Sequence, residues 1–365
     1  MACIGYRKDK IFVGMSGGVD SSLAAALLIE QGYDVNGVYM KNWTTDLPGM
    51  KCPWAEDLAD AKRVAVQLGI PFKVFDFQKE YKSLVVDYMI AEYQAGRTPN
   101  PDIMCNQEVK FKLFLDAALA DGADMIATGH YARTKGGKLL CAVDTDKDQT
   151  YFLYRVTEAA LEKTLFPLGD FTSKKEVRCE AEKRGLATAR KKDSQGICFV
   201  GSVGIRDFLS EFVETASGNI IDHDTDKIIG QHDGAIFYTF GQRHGLSVGG
   251  GLPYYVVGKD MAKNEVYVST NLNADGFWSK EIELIDVHWI NEPYDFAGSE
   301  PAKKKYQVRV RHRAPLIGAT ITGSDPANKR LTIKLATLER AIAPGQSVVI
   351  YNGEIVLGGG IIRSK

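Results

Sequence analysis

A regular alternation of short apolar runs and amphipathic stretches fills the chain from residue 11 to about residue 130. The apolar runs IFVG, DVNGVYM, FKVFDF and ADMIATGH are joined by stretches such as SSLAAALLIEQG and AEDLADAKRVAVQLG, where apolar residues recur at helical spacing. This order is typical of a parallel sheet covered by helices on both faces. Ligands of such sheets bind at the carboxyl ends of strands, so the loop after the first strand is a candidate site.

The pattern changes after about residue 215, where glycine clusters in GQRHGLSVGGGLPYYVVGKD. Strand-like alternation follows in NEVYVST, KYQVRVRHR, RLTIKLA and QSVVIYNGEIVLGGGIIR, whereas YFLYRVTEAALEKT and KKEVRCEAEKRG before the change predict helices. We therefore predict an α/β protein: a doubly wound parallel-sheet domain over residues 1–210, a small mixed connector domain over 211–275 and a C-terminal β-barrel domain over 276–365.

The composition limits the function classes. No run approaches the roughly 20 apolar residues that cross a membrane, and the first residues lack a signal-peptide pattern, so we expect a cytoplasmic protein. The 6 cysteines include no pair within four residues, so the spacing of a cysteine metal site is missing. Since the net charge is only −1, a nucleic-acid partner must be held by local basic patches.

The loop GMSGGVDSS, at residues 14–22, predicts a phosphate site. It fits neither the Walker pattern, which needs a lysine and a hydroxyl, nor the spacing of the dinucleotide fingerprint. Gly17 and Gly18 permit a tight turn, serine hydroxyls surround them, and the next helix points its N-terminus at the site. Asp20 would suit a phosphate site if Mg²⁺ accompanies the phosphates. The alternative is a serine-capped helix start, with Asp20 placed near the positive end of the helix dipole.

Two cysteines have polar, turn-rich surroundings that indicate reactivity. Pro99 and Pro101 are predicted to prevent a helix and to stiffen an extended loop that holds Asp102 close to Cys105. Cys198 follows the basic run at residues 190–192, and positive charge lowers the pKa of a thiol. In contrast, Cys141 and Cys179 are expected to be small buried hydrophobic residues. Cys52 lies in a loop after a strand and has either an accessory role or none.

The loop resembles the PP-loop of the ATP pyrophosphatase superfamily. The segments GMSGGVDSS, YMKNW, GRTPNPDIMCNQEVKFK, ATGHYAR, KDQTYFLY, KKDSQGICFVG, GQRHGL, YYVVGKD and APGQSVVIYNGEIVLGGGII, in this order, resemble the bacterial tRNA-specific 2-thiouridylase family. The resemblance extends from about residue 10 nearly to the end of the chain. It implies that ATP is consumed to transfer AMP to a uridine oxygen of tRNA, with release of pyrophosphate, before sulfur replaces that oxygen.

The resemblance also implies roles for individual residues. Cys198 would carry sulfur as a persulfide, Cys105 would attack it or form a disulfide with Cys198, and Asp102 would transfer a proton. The ATP-binding residues implied are Gly14, Met15, Ser16, Gly17, Gly18, Val19, Asp20, Ser21, Met40 and Gly129. The residues implied to meet the target base or the rest of the tRNA are Asn100, Pro101, Asp102, His130, Lys147, Asp148, Gln149, Arg311, His312 and Gln346.

Further expectations follow from the family. The cofactors would be ATP and Mg²⁺, and the protein itself would hold no other metal. The partners would be glutamate, lysine and glutamine tRNAs and a cysteine desulfurase or relay protein that supplies sulfur. We expect a monomer.

Three other functions are alternatives to this one. An amidating synthetase would use ATP in the same way but would need no paired thiols, and an RNA-binding protein with a relic loop would produce no AMP. A cluster-dependent thiolase would need three or more clustered cysteines.

A basic strand face is a separate expectation. In YQVRVRHR, a period of two would place Gln307, Arg309, Arg311 and Arg313 on one face, which could bind RNA or be a solvated edge.

Overall fold

The computed structural model describes residues 8–46, 52–192, 204–246, 248–249, 252–271, 277–291 and 306–363. Two compact units are present. Unit 1 comprises residues 1–85, 102–202 and 354–356, and unit 2 comprises residues 86–101, 203–353 and 357–365. The α/β part and the β-rich part of the predicted fold thus belong to different units.

The strands within the described ranges, in chain order, are β1 Lys10–Gly14, β2 Asp34–Lys41, β3 Phe72–Asp76, β4 Met125–Ala127, β5 Arg133–Lys135, β6 Lys138–Leu140, β7 Thr164–Leu165, β8 Gly218–Asp222, β9 Lys227–His232, β10 Tyr255–Asp260, β11 Glu265–Ser269, β12 Trp278–Trp289, β13 Tyr306–Arg309, β14 Ile317–Asp325, β15 Arg330–Arg340, β16 Ser347–Asn352 and β17 Ile355–Ile362.

The α-helices within the same ranges are α1 Val19–Glu30, α2 Trp54–Leu68, α3 Gln78–Tyr81, α4 Asp87–Gln94, α5 Pro101–Met104, α6 Phe114–Ala120, α7 Glu158–Glu162, α8 Lys174–Lys183 and α9 Ile205–Ser210. Two π-helical segments, Lys82–Val86 and Cys105–Leu113, and two 3₁₀ turns, Thr150–Phe152 and Ala235–Phe237, accompany them.

Unit 1 contains the predicted parallel sheet, with strand order β3-β2-β1-β4-β7. Every pairing in it is parallel. Helix α8 packs on α1 through Val177 and Ala181, whose side chains are fully buried with Leu23 and Leu28 of α1. This apolar contact fixes the start of α8 relative to the loop that precedes α1.

Unit 2 contains two sheets, as predicted. The smaller has the order β10-β11-β8-β9 and mixes antiparallel pairs with the parallel pair β11–β8. The larger has the order β12-β15-β14-β13-β16-β17, and a further pairing of β12 with β17 closes these six strands into a barrel. Alternation on β15 buries Leu331, Ile333 and Leu335, because every second side chain faces the barrel interior.

Three local predictions need correction. The stretch YFLYRVTEAALEKT is a 3₁₀ turn and the five-residue helix α7 instead of one long helix. The segment at Pro101 is helical, because proline at the first helical position lacks only an N–H that would be unpaired there. Strand β13 ends at Arg309, so Arg311 and Arg313 do not continue its face. Arg313 has a φ of +61°, in the left-handed region and outside the extended backbone of a regular strand.

The described α-helices are 4 to 15 residues long. Among them, none combines the length and the hydropathy that crossing a bilayer requires.

Candidate functional site

The loop between β1 and α1 lies where the order of the parallel sheet reverses direction. Strand β1 pairs with β2 on one side and with β4 on the other, so the carboxyl ends of β1 and β4 border one crevice. This is the position at which open α/β sheets bind their ligands. The loop follows β1, and Gly129 lies just beyond β4.

Helix α1 begins without a side-chain cap. Its N-cap residue is Gly18, and no side chain accepts a hydrogen bond from the first turn. The hydroxyls of Ser21 and Ser22 instead donate back to the Gly18 carbonyl, at 3.3 and 2.8 Å. The serine-capped alternative is therefore wrong, and the first-turn amides form the kind of N-terminus that binds anions.

Glycine is required on both sides of the crevice. Gly17 has a φ of +74°, and an added β-carbon would lie 2.3 Å from the carbonyl oxygen of Asp57. At Gly129, an added β-carbon would lie 2.7 Å from the amide nitrogen of Ser21 and 2.8 Å from the carbonyl carbon of Asp20. The chain just after β4 thus packs directly against the backbone of the first turn of α1, which leaves no room for a side chain at Gly129.

Met40 also borders the loop. Its terminal methyl carbon would lie 2.9 Å from a β-carbon added at Gly14, the last residue of β1. The structure therefore brings together the loop, Met40 and Gly129, the three segments that the sequence resemblance implied for ATP.

The charge of Asp20 is balanced within the protein. The Lys174 ammonium lies 2.7 Å from both carboxylate oxygens of Asp20, and the Tyr131 hydroxyl donates to one of them at 2.9 Å. The Lys174 nitrogen also lies 5.6 Å from the centre of the Tyr131 ring. The sequence predicts Mg²⁺ beside Asp20, whereas in the structure the Lys174 ammonium is the cation that contacts this carboxylate.

Among the described residues, no group of three or more His, Cys, Asp or Glu side chains is arranged to hold a metal ion. Asp20 offers hard oxygen donors of the kind that Mg²⁺ prefers, so it fits as a protein ligand of an ion that arrives on the phosphates.

Asp102 and Cys105 lie one helical turn apart. Helix α5 begins at Pro101, and the π-helical segment from Cys105 continues it. The expected extended loop is therefore wrong, but the proximity of the two residues is retained, since side chains three apart share a helix face. The segment leads into α6, where the Phe114 ring would lie 3.5 Å from a β-carbon at Gly14.

The Cys105 thiol is buried. It is 1% exposed, and burial raises its pKa above the ordinary value. The Lys110 charge and a hydrogen bond with Tyr81 act in the opposite direction, and Asp102 adds to the increase. This thiol is therefore protonated at neutral pH, and thiolate chemistry at Cys105 requires its environment to change.

Cys198 lies outside the described residues, but the basic residues before it are described. Lys191 is 2.7 Å from Asp57 and 2.6 Å from Asp60, and Arg190 is 3.1 Å from Glu182. Carboxylates thus balance the charges of Arg190 and Lys191, two of the three basic residues that the sequence predicts to lower the pKa of the Cys198 thiol.

The other thiols differ from expectation. Cys179 was expected to be buried but is exposed on α8, and Cys141 is half-buried, 3.9 Å from the Thr150 hydroxyl. Cys52 is buried and its thiol lies 3.6 Å from the Trp43 carbonyl, while burial raises its pKa. This environment offers no support for a sulfur-carrier role at Cys52.

His130 is packed inside unit 1. Its Nδ1 atom is 2.8 Å from the Thr128 hydroxyl, and its ring lies 5.6 Å from that of Phe111. Burial lowers its pKa well below 6.5, with a contribution from Lys110. His130 is therefore neutral, and a tRNA contact would have to use its hydrogen bonding rather than charge.

The segment Lys147–Gln149 is linked by hydrogen bonds to Tyr131, which contacts Asp20. Asp148 is buried and accepts hydrogen bonds from the Ala142 amide at 2.7 Å and the Thr150 hydroxyl at 2.6 Å. The Gln149 side-chain oxygen accepts from the Tyr131 amide at 2.9 Å, and the Gln149 amide donates to the Tyr131 carbonyl at 3.0 Å. These bonds fix Tyr131, which contacts Asp20.

Three sequence-predicted tRNA contacts belong to unit 2. Arg311 pairs with Glu339, and burial with nearby arginines lowers the pKa of His312 to about 4. The Gln346 side chain donates to the Thr98 carbonyl at 2.7 Å, and the Thr98 amide donates to the Pro344 carbonyl at 3.0 Å. Gln346 thus anchors the chain two residues before Asn100.

Family models match nearly the whole chain. They are described as "tRNA methyl transferase HUP domain" for residues 9–202, "tRNA methyl transferase PRC-barrel domain" for 206–270 and "Aminomethyltransferase beta-barrel domain" for 279–362. The tRNA-specific 2-thiouridylase MnmA of Enterococcus faecalis is 45% identical, over 97% of this chain and 95% of its own. That of Methylobacillus flagellatus is 47% identical, over 98% and 99%. The chain belongs to the tRNA-specific 2-thiouridylase family.

The solved structures that resemble this chain are less similar to it in sequence than the relatives above. A 4-thiouridine synthetase–RNA complex with bound ATP is 18% identical, with a TM-score of 0.36, over 56% of this chain and 50% of that one. An NMN synthetase from Francisella tularensis is 16% identical, with a TM-score of 0.35, over 53% and 69%.

Sequence reasoning missed four side chains that surround the site in this family member: Lys174, Tyr131, Tyr81 and Lys110. Tyr131 lies within the quoted segment ATGHYAR, which could have identified it. Lys174 had a weaker signal, a lysine at the start of a helix, where a positive charge opposes the helix dipole.

We predict that Gly129→Ala weakens ATP binding by about tenfold or more, because the new methyl group would displace the Ser21 amide. Gly204→Ala is the matched control, since a β-carbon there meets no atom within 4 Å. Isothermal titration with ATP measures both. Equal affinity in the two variants would show that Gly129 is not close to the nucleotide loop.

We predict that iodoacetamide modifies Cys105 at least about tenfold more slowly than Cys179 at pH 7, because the rate follows the thiolate fraction and access. Since burial raises the Cys105 pKa, its rate should continue to increase with pH above 9. Peptide mass mapping of a time course measures both sites. Equal rates at pH 7 would contradict the buried position.

Proposed function

We propose that this protein is a tRNA-uridine 2-sulfurtransferase that replaces the C2 oxygen of the wobble uridine with sulfur, at the expense of ATP. The observation that carries the proposal is 45–47% identity to enzymes named tRNA-specific 2-thiouridylase, over 97–98% of the chain. The loop at the reversal of the sheet supports it, because it is built to hold the phosphates of a nucleotide.

The first step would be adenylation. A uracil C2 oxygen is a poor leaving group, so it must first be converted to a phosphate ester. The C2 oxygen would attack the α-phosphorus of ATP, the bond to the β-phosphate oxygen would break, and pyrophosphate would leave. The amides at the start of α1 would hold the departing pyrophosphate, and Mg²⁺ bound to it would add positive charge.

The second step would transfer sulfur. The terminal sulfur of a Cys198 persulfide would attack C2, and AMP would leave with the former uracil oxygen. A thiolate at Cys105 would then attack the Cys198 sulfur. This breaks the persulfide bond, completes the 2-thiouridine and leaves a Cys105–Cys198 disulfide, which an external thiol reductant must reduce.

Asp102 would transfer a proton to or from the target base. It lies one turn before Cys105, and Asn100 and Pro101 directly precede it. A loop nucleotide of tRNA can leave its stack at modest cost, so the uridine could enter a pocket beside these residues.

The remaining assignments complete the proposal. The divisions 1–210, 211–275 and 276–365 would serve as catalytic, connecting and tRNA-binding domains. His130, residues 147–149, Arg311, His312 and Gln346 would contact tRNA or support residues that do. The acceptors would be glutamate, lysine and glutamine tRNAs, with sulfur from a desulfurase or relay protein, and the enzyme would act as a cytoplasmic monomer.

We predict that unmodified glutamate tRNA acquires 2-thiouridine when incubated with the protein, ATP, Mg²⁺, a persulfide-generating desulfurase and a reductant. Cys198→Ser and Cys105→Ser should each abolish the product, because one removes the sulfur carrier and the other removes the thiol that releases sulfur. Nucleoside mass spectrometry of the digested tRNA measures the product.

Cys179→Ser is the matched control, since this thiol is exposed on α8 and has no step in the reaction. It should form 2-thiouridine at the rate of the unaltered protein. AMP and pyrophosphate without thiouridine would mean that the nucleotide site is correct but the acceptor or sulfur donor is wrong.

A further inference from the structure

Lys174 is bound to the phosphate loop by an ion pair that crosses between two helices. Its ammonium is 2.7 Å from each oxygen of Asp20, and its side chain is only 14% exposed. Asp20 is the acidic residue of the first turn of α1, and Lys174 is the first residue of α8. The pair therefore places a lysine charge beside the helix N-terminus where the phosphates would bind.

The position of Lys174 is determined by the fold. Helix α8 begins with a cap, in which the Ser173 hydroxyl accepts a hydrogen bond from the Glu176 backbone amide at 3.2 Å. The Glu176 carboxylate in turn accepts one from the Thr172 backbone amide at 2.9 Å. The buried contact of Val177 with α1 holds this end of α8 in place. A positive charge at a helix N-terminus is unfavourable, so local helix stability does not explain a lysine at this position.

The electrostatics change when an anion arrives. A carboxylate beside a triphosphate is repelled by it, whereas the ammonium group of Lys174 is attracted to the phosphate oxygens. Lysine is a compact charge on a flexible stem of four carbons, so its ammonium can move between neighbouring acceptors while α8 stays fixed. Tyr131 donates to Asp20 independently and would keep one carboxylate oxygen satisfied.

We propose that Lys174 is a nucleotide-binding residue that contacts a phosphate oxygen of ATP, and that Asp20 holds it at the site until ATP binds. Asp20 then becomes available to the Mg²⁺ that accompanies the phosphates. The inference rests on the proposed use of ATP by this site and adds a residue to it.

The first test compares ATP with adenosine in isothermal titrations, using Lys174→Met. The variant should bind ATP about tenfold or more weakly and adenosine unchanged, since only ATP carries the phosphates. Lys175→Met is the matched control, because Lys175 is the next residue and is exposed. Lys174→Arg should recover part of the affinity, and thermal melting confirms that each variant is folded. Unchanged ATP affinity in Lys174→Met would overturn the proposal.

A second test separates phosphate contact from neutralisation of Asp20. In magnesium-free buffer, Asp20→Asn should retain ATP affinity, and adding Lys174→Met to it should still weaken ATP binding by about tenfold. If the double variant binds ATP as well as Asp20→Asn does, Lys174 only neutralises Asp20 and the proposal fails.

These outcomes are distinguishable from failure of the proposed function. If the unaltered protein forms 2-thiouridine while Lys174→Met binds ATP normally, only the role of Lys174 is wrong. If the unaltered protein binds no ATP, the proposed function itself fails.

Discussion

The balance of charge at the start of α1 is the constraint on which the nucleotide site depends. A loop that presents uncapped amides to an anion also carries a carboxylate, and that carboxylate would oppose phosphate binding if nothing offset it. Lys174 offsets it at 2.7 Å, and Tyr131 holds the same group from another direction. The fold provides both partners, because the packing of α8 on α1 and the bonds of Gln149 to Tyr131 fix their positions.

The thiol chemistry imposes a different requirement. Cys105 lies on a π-helical segment, a geometry that occurs often at functional sites. Its thiol is buried, and its raised pKa keeps it protonated at neutral pH. Under the proposed function, protection of this kind suits a thiol that reacts with the persulfide and not with other electrophiles. In the proposed reaction, the opposing effects of Lys110 and Tyr81 would favour the thiolate once burial is relieved.

Much of the fold was predictable from the sequence, because hydrophobic periodicity determines which faces are buried. The parallel sheet, the mixed connector and the barrel all follow from periods of 3.6 and 2 in the chain, and the glycines and the helix start predict a phosphate site in the loop after β1. The identification of α8 from KKEVRCEAEKRG was likewise correct.

Other features depend on contacts that periodicity does not encode. The sequence predicts that Pro101 prevents a helix, but a proline at the first helical position does not, and only the course of the chain determines which position it holds. The burial of Cys105 and the exposure of Cys179 reversed the expectation from their flanking residues, because burial is determined by distant packing. The pairing of Asp20 with Lys174 joins residues 154 positions apart, and no local pattern predicts it.

The central claim is that ATP activates the uridine oxygen itself, and an isotope experiment tests it directly. A tRNA with ¹⁸O at C2 of the wobble uridine would be incubated with ATP, Mg²⁺ and the sulfur source, and the AMP analysed by mass spectrometry. The account predicts one ¹⁸O atom in AMP for each 2-thiouridine formed. Unlabelled AMP together with 2-thiouridine would contradict it, because the oxygen would then have left by a route that does not involve adenylation.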